Sequence, residues 1–345
     1  MPVGMVSGLS ESKSKPRSLS GIQPSGETHI GNYFGAIRQY VELQETHDCF
    51  YFLADYHALT SLQDRELLAE YTITLAADLL ALGLDPERST IFLQSDVPQV
   101  TELTWLLSCV TPMGLLERCH AYKDKIAQGI SPSHGLFAYP VLMAADILIY
   151  DSDVVPVGQD QKQHLEVTRD IAQRFNKTFG EVFVLPEPYI LPDVATVRGL
   201  DGRKMSKSYG NTIGIFEDEQ SVRKKIMRIV TDSTPIEAPK DPERCNVFNL
   251  YRLLAPPEEV EQMRRRYLEG GVGYGEVKKE TIRLFFEKFG PAREKRAELL
   301  ADRDYIRDVL AEGGRKAREK AQEVLDRARA ACGYGVRGRA PAPAR

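Results

Sequence analysis

Short apolar runs alternate with longer helical repeats along the first part of the chain. Apolar runs of strand length, bounded by turn residues, occupy residues 19–22, 49–54 and 90–94. Apolar positions at helical spacing predict one helix that begins near Gly31 and another that Asp64 caps. Strands that alternate with helices in this way pair in parallel through right-handed crossovers. The pattern therefore predicts an α/β fold built on a parallel sheet.

Only helical repeats follow Ser208, and no strand signal of comparable strength occurs there. Apolar periodicity predicts helices at residues 222–229, 258–267, 276–289, 293–310 and 315–331. The glycine-rich residues 270–275 have no strand before them, so they are interpreted as a loop between helices rather than as a dinucleotide-binding turn. We expect a sheet domain at 18–208, an all-helical domain at 209–335, and disordered tails at 1–17 and 336–345.

Composition narrows the class of protein. The chain has 345 residues, enough for a main domain and a smaller one, because single cores stop growing at roughly 250–300 residues. Its net charge of -4 excludes general basicity, so an RNA surface must be a local cluster of cations. The 5 scattered cysteines lack C-x-x-C spacing, which argues against zinc or an iron–sulfur cluster and is typical of reduced cytoplasmic thiols. No apolar run approaches the roughly 20 residues of a membrane span.

A short segment rich in lysine and serine lies between two glycines. It consists of Lys204, Met205, Ser206, Lys207 and Ser208. Glycines permit unusual backbone angles, and a lysine on a mobile loop reaches a polyphosphate through its long stem. Taken alone, a run of this kind is most often a solvated surface turn.

A second motif occupies residues 24–33, where the first predicted strand turns into a helix. His29 and Asn32 flank the helix N-terminus, and the free backbone N–H groups at such a junction favour phosphate. A single histidine near a helix start is most often a polar cap. The neighbouring glycines and the downstream lysines favour a second role, in which both side chains donate hydrogen bonds to phosphate oxygens as charge builds in the transition state.

Asp146 is embedded in apolar sequence, where a carboxylate is costly unless it is paired or hydrogen-bonded. Tyr139 and Met143 share its predicted helix face, since the three are spaced at i, i+4 and i+7. We interpret this face as a pocket wall with a single acceptor, and the alternative is a structural buried ion pair. His57 follows the strand at 49–54, at the edge where parallel sheets bind ligands, although a buried core histidine is also possible there.

Other candidate groups follow further along the chain. An apolar strand ends in Gly158, and Asp160 and Gln161 then open a helix, where they suit ribose hydroxyls and a zwitterionic amino acid. Residues 115–130 predict a helix with solvated charges, one lysine of which is a candidate for the nucleotide site. Trp105, the only tryptophan, is assigned to packing in the core or in an interface.

The two motifs at residues 24–33 and 204–208 resemble, in the same order, the two ATP motifs of class I aminoacyl-tRNA synthetases. Residues 20–26, 143–148 and 155–161 are more closely similar to the bacterial-type tryptophanyl-tRNA synthetases. This resemblance extends from about residue 19 to the end of the last predicted helix. Either ATP motif alone is moderate evidence, whereas the ordered set is specific.

The resemblance implies a Rossmann-like catalytic domain at 18–208 and a helical anticodon-binding domain at 209–335, in a cytoplasmic homodimer. The implied enzyme activates L-tryptophan with ATP and Mg²⁺ to tryptophanyl-adenylate and pyrophosphate, then transfers tryptophan to the 3′ end of tRNA(Trp). It needs no covalent nucleophile, because positioning and electrostatic stabilisation drive such transfers. The basic excess at residues 315–331 is a solvated face by default and an RNA-backbone face under this resemblance.

The resemblance also assigns site residues by position, with no protein metal ligand among them. The implied catalytic residues are His29, Asn32, Lys125, Lys204 and Lys207. The implied ATP-binding residues are Gln23, Pro24, Ser25, Gly31, Asn32, Gly158, Gln159, Asp160, Val197, Lys204, Met205, Ser206, Lys207 and Ser208. Asp146 is implied to accept the indole N–H, with the rest of the tryptophan site formed by His57, Tyr139, Met143, Val155, Val157 and Gln161. Leu19 departs from the pattern, since relatives often carry a larger aromatic residue there.

Three rival interpretations stay open at this point. A tyrosyl-tRNA synthetase shares the fold and both ATP motifs, although residues 20–26 and 155–158 favour tryptophan. A nucleotidyltransferase of another pathway is the second alternative, but the helical second half of the chain would have no role in such an enzyme. A synthetase-like paralogue that binds tryptophan or a protein without charging tRNA is the non-enzyme alternative, and two intact ATP motifs argue against it.

Overall fold

The computed structural model describes residues 15–119, 122–123, 133–156, 162–189 and 197–334. Five parallel strands form one sheet in the order β3-β2-β1-β4-β5. They are β1 Arg17–Ile22, β2 Asp48–Leu53, β3 Ser89–Leu93, β4 Val154–Pro156 and β5 Glu187–Tyr189. The strand order reverses between β1 and β4, and ligands bind at the carboxyl ends of strands beside such a reversal. The predicted α/β class with a parallel sheet is therefore confirmed.

The predicted strands are present, and two corrections concern the sheet margins. Arg17 belongs to β1 rather than to the expected tail, because its guanidinium pairs with Asp48 at 2.7 Å and donates to the Tyr150 carbonyl at 2.8 Å. The strand β5 was not predicted, since its three residues include a proline and carry no apolar run. An edge strand that short takes its conformation from pairing with β4 rather than from its own pattern.

Helices connect the strands of the sheet. The first, α1, joins α-helical Ile30–Asn32, π-helical Tyr33–Ile37 and α-helical Arg38–Leu43. The others are α2 Asp55–Ala58, α3 Arg65–Ala81, α4 Gln99–Ser108, α5 Met113–Leu116, α6 His134–Leu148 and α7 Lys162–Phe179. Asp64 caps α3 as predicted, since its Oδ1 accepts from the Leu67 N–H at 2.9 Å.

The helix predicted at 115–130 is present at Leu115 and Leu116 and is interrupted at residues 117–119. The helix α5 ends at Leu116, and the N–H groups of Arg118 and Cys119 then bond three residues back, at 3.3 and 3.0 Å. Such bonds tighten the backbone into turns, while Leu115, Leu116 and Cys119 are buried. Most of the remaining residues of that predicted helix lie outside the described residues.

The helical part contains α8 Glu219–Met227, α9 Asn246–Leu254, α10 Pro257–Glu269, α11 Tyr274–Ala301 and α12 Arg303–Ala331. The sequence pattern missed α9, and it divided α11 and α12 wrongly. The break lies at Asp302, whose carboxylate caps α12, and α11 continues through Pro291. Burial of Phe285, Phe289 and Leu299 along α11 keeps the helix together on both sides of the proline. The glycine-rich loop between α10 and α11 is confirmed at residues 270–273, while Tyr274 and Gly275 begin α11.

The last helix packs closely on the sheet. A Cβ atom on Gly313 would lie 1.9 Å from the carbonyl oxygen of Ile91 in β3, so only glycine permits this approach. Ala317 and Ala321 continue the contact in a core shared with α4, α6 and α7. The division of the chain at residue 208 stays a proposal, since α12 lies against the sheet domain.

The basic residues of α12 bind their own chain. Arg318 donates to the Asp96 carbonyl at 2.8 Å, and Lys320 pairs with Asp151 at 2.8 Å. Arg329 pairs with Glu102 of α4 at 2.5 Å. These cations hold α12 on the sheet domain, so a role in binding an RNA backbone requires breaking those contacts.

Trp105 is 67% exposed on α4, so its assignment to the core is wrong and the interface alternative is left. Met113, on the following helix α5, is 63% exposed. Among the described residues, none of the helices combines the length and apolar composition required to cross a bilayer.

Candidate active site

His29 and Asn32 cap the start of α1 reciprocally. The Asn32 N–H donates to Nδ1 of His29 at 3.3 Å, and the His29 N–H donates to Oδ1 of Asn32 at 3.0 Å. Gly31 between them is required, since a Cβ there would lie 2.9 Å from the imidazole ring. The polar cap is therefore real, and it orients both side chains at the carboxyl end of β1.

The cap also decides where the His29 proton lies. Because Nδ1 accepts a hydrogen bond, the neutral ring carries its proton on Nε2. Burial, with a smaller contribution from the charge of Lys207, lowers the pKa of His29 from 6.5 to about 4. At neutral pH the ring is thus an uncharged donor, and Nε2 of His29 and Nδ2 of Asn32 have no hydrogen-bond partner among the described residues.

The lysine loop lies against the turn that follows β1. Lys207 Nζ donates to the Ser25 carbonyl at 2.9 Å, and Met205 is buried beside Gly31. The Met205 N–H donates to the carbonyl of Val197 at 2.8 Å. Val197, which is also a predicted ATP residue, therefore lies against the lysine loop. The two sequence motifs, which are far apart along the chain, thereby meet at the carboxyl end of β1.

Asn211 supports the loop, and sequence reasoning missed it. Its Oδ1 accepts from the Ser206 N–H at 2.8 Å, and its Nδ2 donates to Asp201 at 2.8 Å and to the Lys204 carbonyl at 3.1 Å. The side chain occupies space that a Cβ on Gly199 would fill, at 2.3 Å. A single asparagine shortly after the motif was the available signal, and it is a weak one.

The turn between β1 and α1 presents the remaining predicted nucleotide residues. Gln23 and Ser25 are exposed, and Pro24 is buried beneath them. Gly26 has φ of +91°, a conformation that side chains rarely adopt, so this turn depends on glycine. Ser206 and Ser208 are hydrogen-bonded to each other through their hydroxyls at 2.9 Å.

Asp146 is the centre of a buried polar cluster at the ends of β2 and β3. It is 1% exposed, and its Oδ2 lies 2.8 Å from Nε2 of His57. Gln94 donates through Nε2 to both carboxylate oxygens at 2.9 Å. Burial raises the pKa of Asp146, while the His57 and Gln94 hydrogen bonds oppose that change. The cluster combines both interpretations of Asp146, since it is structurally paired and still offers carboxylate lone pairs.

Gln94 is the second residue that sequence reasoning missed. Its Oε1 accepts from the backbone N–H groups of Tyr56 and His57, at 3.1 and 3.4 Å. It therefore fixes both the histidine backbone and the carboxylate. A polar residue at the carboxyl end of an otherwise apolar parallel strand was the signal that identifies it.

Tyr139 and Met143 extend this pocket along α6. The Tyr139 hydroxyl lies 3.1 Å from Nε2 of His164, and its ring meets that of His57 edge-on at 6.2 Å. Burial raises the pKa of Tyr139 to about 12, so the hydroxyl keeps its proton. Met143 is partly buried and Val155 is buried in the same core, which also contains Leu19. The predicted face of Tyr139, Met143 and Asp146 is present.

Six predicted site residues lie outside the described residues. They are Lys125, Val157, Gly158, Gln159, Asp160 and Gln161. Within the described ranges, no three histidine, cysteine, aspartate or glutamate side chains converge as metal ligands would.

Comparison with known proteins agrees with this geometry. The family described as "tRNA synthetases class I (W and Y)" matches residues 11–290. Tryptophan–tRNA ligase of Rhodopirellula baltica is 59% identical over 317 residues, 92% of this chain and 99% of the relative. The corresponding ligase of Fusobacterium nucleatum is 59% identical over 314 residues, 91% of this chain and 96% of the relative.

Among solved structures, tryptophanyl-tRNA synthetase from Campylobacter jejuni, complexed with ADP and tryptophan, superposes with a TM-score of 0.86. It is 52% identical, and the alignment covers 92% of this chain and 99% of that one. The chain therefore belongs to the class I tRNA synthetases of the tryptophan and tyrosine group, and within that group to the tryptophan–tRNA ligases.

Proposed function

We propose that this chain activates L-tryptophan with ATP and transfers the tryptophanyl group to the 3′ end of tRNA(Trp). The observation that carries the proposal is the buried carboxylate of Asp146, held by His57 and Gln94 at the carboxyl ends of β2 and β3. The names of relatives that are 59% identical support the same substrate. A tyrosyl-tRNA synthetase would instead require hydrogen-bond partners for a phenol hydroxyl. The exchange assay described below distinguishes the two enzymes.

In the first step, the tryptophan carboxylate attacks the α-phosphorus of ATP in line, and pyrophosphate leaves. The protein positions the reactants and stabilises charge, which is the usual strategy of phosphoryl and adenylyl transfer. Neutral His29 and Asn32 donate from Nε2 and Nδ2 to phosphate oxygens. Lys204 and Lys207 contribute positive charge from the loop, together with Lys125. Mg²⁺ enters as part of the ATP substrate, held by its phosphates.

The pocket selects tryptophan by pairing a specific polar group. Asp146 accepts the indole N–H, and Tyr139 with Gln161 holds the amino-acid head group. A site built to bond a substrate polar group rejects an analogue without it by about 10⁴–10⁵, so phenylalanine needs no editing site. The apolar side chains of Met143, Val155 and Val157 line the ring.

In the second step, a terminal ribose hydroxyl of tRNA attacks the activated carbonyl and forms an ester. The carboxyl–phosphate bond breaks, AMP leaves, and the hydroxyl proton is released. The helical part from residue 209 onward is the candidate anticodon-binding domain. Its exposed cations Lys224, Arg228 and Arg265 have no ion-pair partner among the described residues, unlike those of α12. Free surface cations of this kind are suited to phosphate contacts.

A second copy of the chain covers the exposed face of α4 and α5 in this proposal. Trp105 and Met113 are large apolar side chains on that face, and burying them in a homodimer removes them from water. Sedimentation velocity with Trp105→Ala tests it, since the variant should shift toward monomer. An unchanged dimer would exclude this face.

We also place the enzyme in the cytoplasm, which is consistent with its 5 unpaired cysteines.

ATP–pyrophosphate exchange with each of the twenty amino acids tests the activation step, with Mg²⁺ present. Exchange with tryptophan alone is expected. Exchange with tyrosine would keep the chemistry and overturn the substrate, and no exchange would favour a paralogue that only binds. Charging of tRNA(Trp) transcript with tryptophan tests the second step separately.

A further inference from the structure

A buried ion pair joins α3 to α11 beside the lysine loop, and no step of the proposed reaction uses it. Asp78 on α3 is 1% exposed, and its Oδ1 lies 2.5 Å from Nε of Arg296 on α11. Removing these charges from water is costly, and apolar residues often replace such a pair without loss of stability. Stability alone is therefore a weak reason for its presence.

Asp78 also acts on two groups where residues 25–29 meet the lysine loop at residues 205–207. We call this region the ATP corner. Burial raises the pKa of the Asp78 carboxyl, while Arg296 and the Thr28 hydroxyl oppose that change, and buried Thr28 directly precedes His29. The charges of Asp78 and Glu27 also act on the ammonium of Lys207, raising its pKa against the opposing effect of burial. Helix α3 lies against this corner, since a Cβ on Gly26 would lie 3.7 Å from the Tyr71 hydroxyl of α3 and 3.9 Å from Lys207 Nζ.

The helix α11 reaches the same corner through a second arginine. Arg293 donates to the Ile215 carbonyl at 2.5 Å and to the Glu217 carbonyl at 2.6 Å. The Ile215 N–H in turn donates to the Thr28 carbonyl at 2.9 Å. The backbone of Thr28 is therefore held by α11 through residues 215–217, and Arg296 joins the same helix to Asp78 on α3.

We propose that Asp78 and Arg296 are positioning residues for ATP, which hold the Thr28–His29 backbone and the Lys207 ammonium where the triphosphate binds. The pair touches no substrate and acts through Thr28 and Lys207. Arg296 favours the ionised form of Asp78 against the larger effect of burial, and that carboxylate favours the charged form of Lys207. This inference rests on the proposed role of Lys207 in binding ATP phosphates.

The test compares Asp78→Asn, Arg296→Gln and the double variant in tryptophan-dependent pyrophosphate exchange. Each single variant leaves one buried partner uncompensated and is expected to melt at a lower temperature. The double variant removes both charges with little change of shape, so its melting temperature recovers. Its KM for ATP nevertheless rises about tenfold, as expected for loss of a charge-assisted contact, while its KM for tryptophan stays unchanged.

A double variant with recovered stability and the wild-type KM for ATP overturns the inference, since the pair would then be structural only. Arg296→Lys provides a second measurement if the double variant unfolds. It keeps the charge but loses the planar guanidinium, and we expect a smaller rise in the KM for ATP. A wild-type KM for ATP in that stable variant would equally contradict the proposal.

Two controls separate the possible causes. Glu70→Gln with Arg303→Gln removes an exposed bidentate pair, at 2.7 and 2.8 Å, that ties the same α3 to α12, and it should leave the KM for ATP unchanged. Lys207→Ala should raise the KM for ATP. If Lys207→Ala does so and the double variant does not, only the positioning inference fails. If Lys207→Ala has no effect, the proposed role of the loop itself fails.

Discussion

The amino-acid pocket and the ATP corner each contain a buried aspartate, and the two are compensated differently. Asp146 in the pocket is bound by an imidazole and an amide, neither of which carries a permanent charge. Asp78 beneath the ATP corner is bound by the guanidinium of Arg296, which is always protonated. Burial raises the pKa of both carboxyl groups.

This difference matches what each region must bind. A carboxylate held by an imidazole and an amide keeps lone pairs for a donor such as an indole N–H. In the proposed reaction, a carboxylate paired with arginine adds little net charge beneath the triphosphate. The proposed pocket thus relies on a hydrogen-bonded carboxylate, and the proposed ATP corner relies on loop lysines beside the pair of Asp78 and Arg296.

The largest effect is expected from removal of the pocket acceptor. Asp146→Ala should lower the affinity for tryptophan more than about 100-fold, because Gln94 and His57 lose a shared partner and the indole N–H loses its acceptor. Pyrophosphate exchange and tryptophan binding by calorimetry measure this change. ATP binding should be largely retained. A variant that charges tryptophan normally would make the assignment of Asp146 wrong.

The second effect concerns the packing of α12 against β3. Gly313→Ala should lower the free energy of unfolding by about 3 kcal/mol, because its Cβ would lie 1.9 Å from the Ile91 carbonyl of β3. Urea unfolding measures it. Gly275→Ala in α11 is the matched control, since a Cβ there meets open space, and the variant is expected to be neutral or slightly stabilising. Equal stability of the two variants would contradict the close approach of α12 to β3.

The third effect is a pH dependence of stability at the ATP corner. The folded pKa of His29 is about 4 and its ordinary value is 6.5, so the unfolded chain binds the proton more readily. Stability therefore falls as the pH falls between about 6.5 and 4. Between pH 7 and 4.5 the wild type should lose about 2 kcal/mol more than His29→Asn, which keeps a capping side chain. Parallel urea titrations that give equal losses would exclude a buried neutral histidine.

The smallest effect distinguishes the two regions directly. Gln94→Ala should raise the KM for tryptophan about tenfold, because Asp146 loses a hydrogen bond to each oxygen and His57 loses a backbone anchor. The KM for ATP should not change, since Gln94 has no contact at the ATP corner. Gln99→Ala on α4 serves as a control, because among the described residues the Gln99 side chain is hydrogen-bonded to Gln322 of α12. A rise in both KM values would show that the regions are coupled through β3.

Local pattern determined much of the architecture. The three apolar strands, the capped helices α1 and α3, and the helical second half followed from periodicity and turn residues, because these features depend on nearby residues. The two ATP motifs and the isolated Asp146 were also conspicuous, since a cation loop and a carboxylate in apolar sequence stand out locally. The family resemblance then assigned roles to them, and those roles stay proposals.

Tertiary structure decided the rest, because its partners are far apart in sequence. Gln94 and Asn211 have meaning only through the groups they bond, and the pair of Asp78 and Arg296 joins residues 218 positions apart. The strand β5 exists because β4 offers it hydrogen bonds, and α11 passes through Pro291 because its flanks are buried. Long-range pairing and burial set these features, and neither is encoded in the local spacing of apolar residues.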